Sequence, residues 1–158
     1  MFIIVGGIMK KFSICLLMII SLFITGCGNK TKVAITLEDF SQAATDKHFV
    51  VMLEDYTGVS YINEARVASM DGIEIQMINY TEAKYAEKVQ NEQIDSFNLL
   101  KTTGAWEKKD SGKNYYRYEI VSNGYYMINT RVDNTLIYCK TLLENKDTVQ
   151  GLFNELGY

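Results

Sequence analysis

The chain has 158 residues, 47% of them hydrophobic and 22% charged, with a formal net charge of −3, one histidine, three cysteines and no proline. This is enough chain for one domain. The acidic balance argues against nucleic acid as a partner, which needs clustered Lys and Arg, and a lone histidine cannot build a His-rich metal site.

In chain order, the first feature is Lys10-Lys11, followed by a run from Phe12 to Ile24 interrupted only by small polar residues, and then Thr25-Gly26-Cys27. A basic start, a short apolar segment and small residues at the exit predict a secretory signal. Met9-Lys10-Lys11 is a usual opening for such a signal and points to Met9 as the start. Ile24-Thr25-Gly26-Cys27 resembles the lipobox of bacterial lipoproteins. The resemblance implies that the signal peptide, 1–26, is cut between Gly26 and Cys27, that the Cys27 sulfur carries a diacylglycerol, and that the protein is held on the cell membrane, facing outside the cytoplasm. Two acyl chains anchor stably, whereas one does so only marginally. The lipidated Cys27 and a short tether then occupy 27–35, beginning with the polar Gly28-Asn29-Lys30-Thr31-Lys32, and the folded domain occupies 36–158. Two readings compete: a cleaved signal without lipid, and an uncleaved membrane helix. The apolar run is about 13 residues, below the roughly 18–20 a span needs. A longer span counted from Met1 would enclose Lys10 and Lys11, which is disfavoured.

Beyond Cys27 the balance is 14 basic against 19 acidic residues, because the preceding stretch holds two lysines and no acid. That argues against an electrostatic grip on anionic lipid. Cys15 leaves with the signal and Cys27 is acylated, so Cys139 has no partner for a disulfide. It is expected to pack as a small apolar side chain.

Thr36 followed by Asp39 has the form of a capping box, and Leu37, Phe40, Ala43 and Ala44 share one face of a helix that stops near Asp46 or Lys47. Phe49 to Leu53 is short, apolar and β-branched, which predicts a buried strand. Asp55 to Asn63 is turn-like. Asp71-Gly72 predicts a two-residue hairpin between strands Ala65 to Met70 and Ile73 to Asn79. A second helix is expected from Thr81, with its hydroxyl as cap, to about Leu100. Lys101 to Asn114 reads as a polar connection containing Trp106. Three strands follow, Tyr115 to Val121, Tyr125 to Arg131 and Thr135 to Leu143, turned by Asn123-Gly124 and Asp133-Asn134. Val149, Leu152, Phe153 and Leu156 mark a final helix, with Gly157 as its cap and Tyr158 folding back. The order is α-βββ-α-βββ-α. The predicted fold is a single α+β domain with a mainly antiparallel sheet and helices packed mostly on one face.

No nucleophile elbow, phosphate-cradling loop or EF-hand spacing is present. His48 reads as a polar loop residue. Glu54-Asp55 point to opposite faces of a strand and so do not make a carboxylate pair. No catalytic residue, metal or cofactor is expected. The tyrosines carry the one candidate surface. With two-residue turns, Val121, Tyr126, Ile128, Val132, Ile137 and Cys139 fall on one face, which reads as core. Tyr116, Tyr118, Ile120, Tyr125, Met127, Arg131, Leu136, Tyr138 and Lys140 fall on the other. A Tyr-rich face with two cations suits a peptide, a glycan or a partner protein. The competing reading is that helices cover it.

The element order and the Gly-Tyr ending resemble a loose group of small lipoproteins of Gram-positive bacteria that carry no assigned activity. The expected function is a non-enzymatic binding or accessory module of the cell envelope. The alternatives are an inhibitor or immunity-type lipoprotein, with Lys101 to Asn114 as the inserting loop, and a wall-directed hydrolase.

Overall fold

The computed structural model describes residues 30–158; Gly26, Cys27 and the signal segment lie outside the described residues. In chain order the elements are α1 (Leu37–Asp46), β1 (Val50–Glu54), β2 (Ile62–Met70), β3 (Ile73–Tyr80), α2 (Ala83–Leu99), β4 (Trp106–Ser111), β5 (Tyr115–Ser122), β6 (Tyr125–Val132), β7 (Thr135–Leu142), a 3-10 turn (Leu143–Asn145) and α3 (Lys146–Glu155). All seven strands form one antiparallel sheet in the order β1-β2-β3-β7-β6-β5-β4. No helix among the described residues is long and apolar enough to cross a membrane.

Local chemistry accounts for most boundaries. Asp39 N–H donates to Thr36 Oγ1 and Thr36 N–H donates to Asp39 Oδ2, each at 3.1 Å, so the capping box starts α1. The helix ends in a Schellman motif, with His48 N–H on the Thr45 carbonyl and Phe49 N–H on the Ala44 carbonyl. α3 ends the same way through Gly157, whose φ is 74°. Asp71-Gly72 and Asn123-Gly124 have positive φ at both positions, the geometry of tight hairpins.

Four expectations are corrected. The stretch Lys101 to Asn114 contains a strand, β4, which pairs with β5 from Trp106↔Val121 to Ser111↔Tyr116. Charged side chains hide it in the sequence, yet an edge strand tolerates them because one side faces water. The Phe49 to Leu53 run is the opposite edge, not a buried strand: Val50, Met52 and Leu53 are 64%, 54% and 69% exposed. Helix α2 starts after Glu82 with no side-chain cap, and the Thr81 hydroxyl instead reaches the Tyr61 carbonyl. Finally, 30–35 is not a free tether. The Lys30 carbonyl accepts from Lys113 N–H at 2.9 Å, and the Asn114 side chain bonds both the N–H and the carbonyl of Lys32, at 3.0 and 2.9 Å. Ala34 and Ile35 pack on the core.

Helices cover both faces of the sheet. α1 and α3 bury Leu37, Phe40, Val149, Leu152 and Phe153 against Ile75, Met77, Ile128 and Ile137. Each large side chain fully buried there contributes roughly 1.5–3 kcal/mol. α2 lies on the other face. It carries the chain from central β3 across the sheet to β4 at the far edge, from which β5, β6 and β7 return to pair with β3.

Candidate functional site

The register decides which side chains meet. Ile137 stands opposite Met77 and Thr130, and Tyr138 opposite Gln76 and Asn129. The α1–α3 face therefore holds Tyr126, Ile128, Val132, Ile137 and Cys139. The α2 face holds Tyr116, Tyr118, Ile120, Tyr125, Met127, Arg131, Leu136, Tyr138 and Lys140. This is the division that two-residue turns require.

The position of α2 changes what that face can be. Its Phe97 is buried over Tyr118, Ile120 and Met127, and its Ala86 over Ile78, Tyr80 and Leu136. The tyrosine face is thus not one open surface, and this expectation is corrected. Tyr118 is fully buried, with Glu107 Oε1 at 2.7 Å and Asn98 Oδ1 at 3.0 Å from its hydroxyl. Burial, and then the bond to Glu107, raise its pKa. Tyr116, Tyr125 and Tyr138 are half-buried. Lys140 Nζ sits 5.0 Å from the Tyr125 ring centre.

What remains open is a cleft on each side of α2. The first, about 280 Å³, is lined by Glu54, Val67, Glu74, Gln76, Tyr138 and Lys140. Gln76 is its organiser. Its side-chain nitrogen donates to Glu54 and to the Tyr56 hydroxyl (2.9 Å), and its carbonyl accepts from the Tyr138 hydroxyl. Burial, then the neighbouring Tyr56, Glu54 and Glu74, push Tyr138 up to about 12, so its phenol stays protonated at neutral pH. The second cleft, about 210 Å³, is lined by Glu87, Gln90, Asn91, Ile94, Tyr116 and Arg131. Gln90 donates to the Tyr116 carbonyl (2.8 Å) and to Asn129 Oδ1 (2.7 Å), and accepts from Arg131 Nε (3.2 Å). Each cleft is lined by an amide, a phenol and side chains of both charge signs, groups able to make hydrogen bonds to a polar molecule.

A third concavity, about 470 Å³, lies at the turn between β1 and β2. Its wall holds the carboxylates Glu54, Asp55 and Glu64 and no basic side chain. Asp55 accepts from Thr57 N–H at 2.8 Å, which ends the strand and opens the turn. His48 is exposed, at the left-handed position after α1. Cys139 is fully buried, and burial, then Glu74, push its thiol up to about 12. Among the described residues no group of three His, Cys, Asp or Glu side chains is placed to hold a metal ion.

Gln76 and Gln90 organise the clefts and were not singled out in the sequence, where Glu54 was weighed only as one of an adjacent carboxylate pair. For Gln76 the signal was a glutamine between apolar residues, in Ile75-Gln76-Met77; Gln90, between Val89 and Asn91, carried no such signal. An amide at a core-facing position needs partners, and those partners form a polar site. Also unforeseen is a buried knot on the other face. Glu119 accepts from Arg117 Nε (2.9 Å), Tyr126 Oη (2.8 Å) and Gln150 Nε2 (2.7 Å). Arg117 also donates to the Tyr158 carbonyl.

No family model matches the chain, and no curated protein matches it. A solved structure from Thermotoga maritima, described as a GTP binding regulator, is similar to it with a TM-score of 0.45 and 14% sequence identity, over 77% of this chain and 87% of that one. Similarity of that extent has no bearing on what this chain does.

Proposed function

We propose that the protein is a membrane-anchored extracytoplasmic lipoprotein whose single domain is a non-enzymatic binding module of the cell envelope. The observation that carries the reading is Ile24-Thr25-Gly26-Cys27 behind Lys10-Lys11 and a short apolar run. The domain's start is consistent with a close anchor. Lys30 is already bonded to Lys113, and the three residues from Cys27 to Lys30 span at most roughly 11 Å when extended. An acylated Cys27 therefore holds the turn between β4 and β5 near the headgroups and leaves β1, at the far edge of the sheet, free for a partner. The binding reading draws on the clefts beside α2, lined by Gln76, Tyr138 and Lys140 on one side and by Gln90, Tyr116 and Arg131 on the other. The inhibitor reading loses its inserting loop, because Trp106–Ser111 is paired as β4.

The test is metabolic labelling with a fatty-acid analogue in cells expressing the wild type or Cys27→Ser. The expected result is label on the wild type, none on the variant, and release of the variant from the membrane or its retention as the uncut precursor. Equal labelling of the two overturns the proposal.

A further inference from the structure

The two edges of the sheet are built differently. β4 carries Glu107, Lys108, Lys109 and Asp110, and such charges deter strand addition. β1 reads Val-Val-Met-Leu-Glu, with no lysine, proline or bulge. Its free hydrogen-bonding groups can be identified. The Asp71-Gly72 turn has positive φ at both positions, so its flanking pair, Met70 and Ile73, exchanges hydrogen bonds. Bonding direction alternates along each strand. Ser69, Val67 and Ala65 therefore bond toward β1, where they meet Val50, Met52 and Glu54. The N–H and C=O groups of Val51 and Leu53 point away from the sheet into open space.

Side chains on either side of this edge define what fits it. Val50, Met52 and Leu53 are more than half exposed, which offers an apolar strip. The flanks are acidic. On one face Arg66 is held between Glu64 (2.8 Å) and Glu38 (2.9 Å), one cation against two carboxylates. On the other face Glu54 and Glu74 line the cleft beside the strand, where Lys140 is the one cation against two carboxylates, and Glu54, Asp55 and Glu64 line the concavity at its end. A second copy of this chain would set the same acidic rim against itself. A segment whose apolar residues are interleaved with lysine or arginine would not.

We propose that the free edge of β1 docks an extended, apolar and basic segment of another polypeptide, which joins the sheet as an eighth strand through Val51 and Leu53. Main-chain bonds supply attachment in this mode, and alternate side chains supply selectivity. The proposal rests on the binding-module reading but not on the anchor, which fatty-acid labelling tests separately.

The experiment uses the full chain in detergent and two fluorescein-labelled eight-residue peptides, one alternating valine with lysine and one alternating valine with glutamate. Fluorescence anisotropy reads binding, and circular dichroism checks that each variant is folded. The lysine peptide is expected to bind at least about tenfold more tightly than the glutamate peptide, a difference of about 1.4 kcal/mol, because both can bond to the edge and only their charges differ. Leu53→Pro removes one outward N–H and should weaken binding about tenfold or more. Met52→Lys, which leaves the ladder intact and places a cation on the strip, should do the same. Equal binding of both peptides, binding unchanged in both variants, or absence of binding overturns the proposal. So does a doubling of mass with protein concentration that Leu53→Pro abolishes, because the edge is then occupied by a second copy.

Discussion

His48 has φ 68°, a left-handed conformation that costs a side chain with a Cβ about 1–2 kcal/mol. The Schellman turn after α1 imposes it, and the exposed ring gains little in return. Glycine meets the same φ freely but loses more freedom on folding, about 0.5–1 kcal/mol. His48→Gly is therefore expected to raise stability by up to about 1 kcal/mol, read by thermal melting. Glu119 is the opposite kind of residue. Burial pushes its carboxyl up, but the bonds from Tyr126 and Gln150 and the charge of Arg117 outweigh it, and the net direction is down. A carboxyl depressed in the folded state stabilises above its ordinary value, and that stability is lost as pH falls through the folded value. Glu119→Gln is expected to cost roughly 3–5 kcal/mol near neutral pH, because Arg117 is left buried without its anion. Urea denaturation at neutral pH and near pH 3 checks this: the variant should lose less on acidification than the wild type does.

At the scale of elements, the strap formed by 30–35 and the helix α2 decide how the sheet is presented. The strap holds no regular structure, yet Asn114 serves as its neighbouring strand, using one amide to pair both polar groups of Lys32. Asn114 also bonds Asp133 at 2.8 Å and so joins the strap to the turn between β6 and β7. Gly112 completes the seat, since an added Cβ would fall 2.1 Å from the Lys30 carbonyl. Asn114→Ala is expected to cost roughly 1.5–4 kcal/mol, the net worth of its three hydrogen bonds. Faster amide exchange at Lys32 and Ile35 than in the rest of the sheet would show that the loss is local to the strap. Helix α2 turns a would-be aromatic surface into an interior flanked by two clefts. Its buried face combines Ala86 and Phe97 with Gln90, an apolar stripe carrying one amide, and that amide organises the second cleft.

For the whole molecule, the sheet is sandwiched, with two helices on one face and one on the other, so its central strands are wrapped on both sides. Cys139 lies in the middle of that construction, between Ile75 and Ile128 on the neighbouring strands. Its thiol is expected to react with a maleimide only at the rate of global unfolding. In a chain with Cys15 and Cys27 replaced by serine, the labelling rate should match the slowest amide exchange of β6 and β7. Rapid labelling under native conditions would mean that the α1–α3 layer opens on its own.

Much of this architecture was legible in the order of residues because it is set by local chemistry. Thr36 with Asp39 starts a helix, and Asp71-Gly72 and Asn123-Gly124 turn strands. Val149, Leu152 and Phe153 mark a buried stripe, and the two-residue turns divide the faces of β5, β6 and β7 correctly. Each signal acts over a few residues and needs no distant partner. What only the tertiary structure decided is what lies beside or above each strand. The run Val50 to Leu53 looks alike in the middle of a sheet or at its edge. The charged run Trp106 to Ser111 forms a strand only because β5 supplies the partner. The tyrosines of β5, β6 and β7 became interior or cleft according to where α2 crosses. Edge position, strand partnership and coverage arise from chain segments far apart in sequence, so no local pattern encodes them.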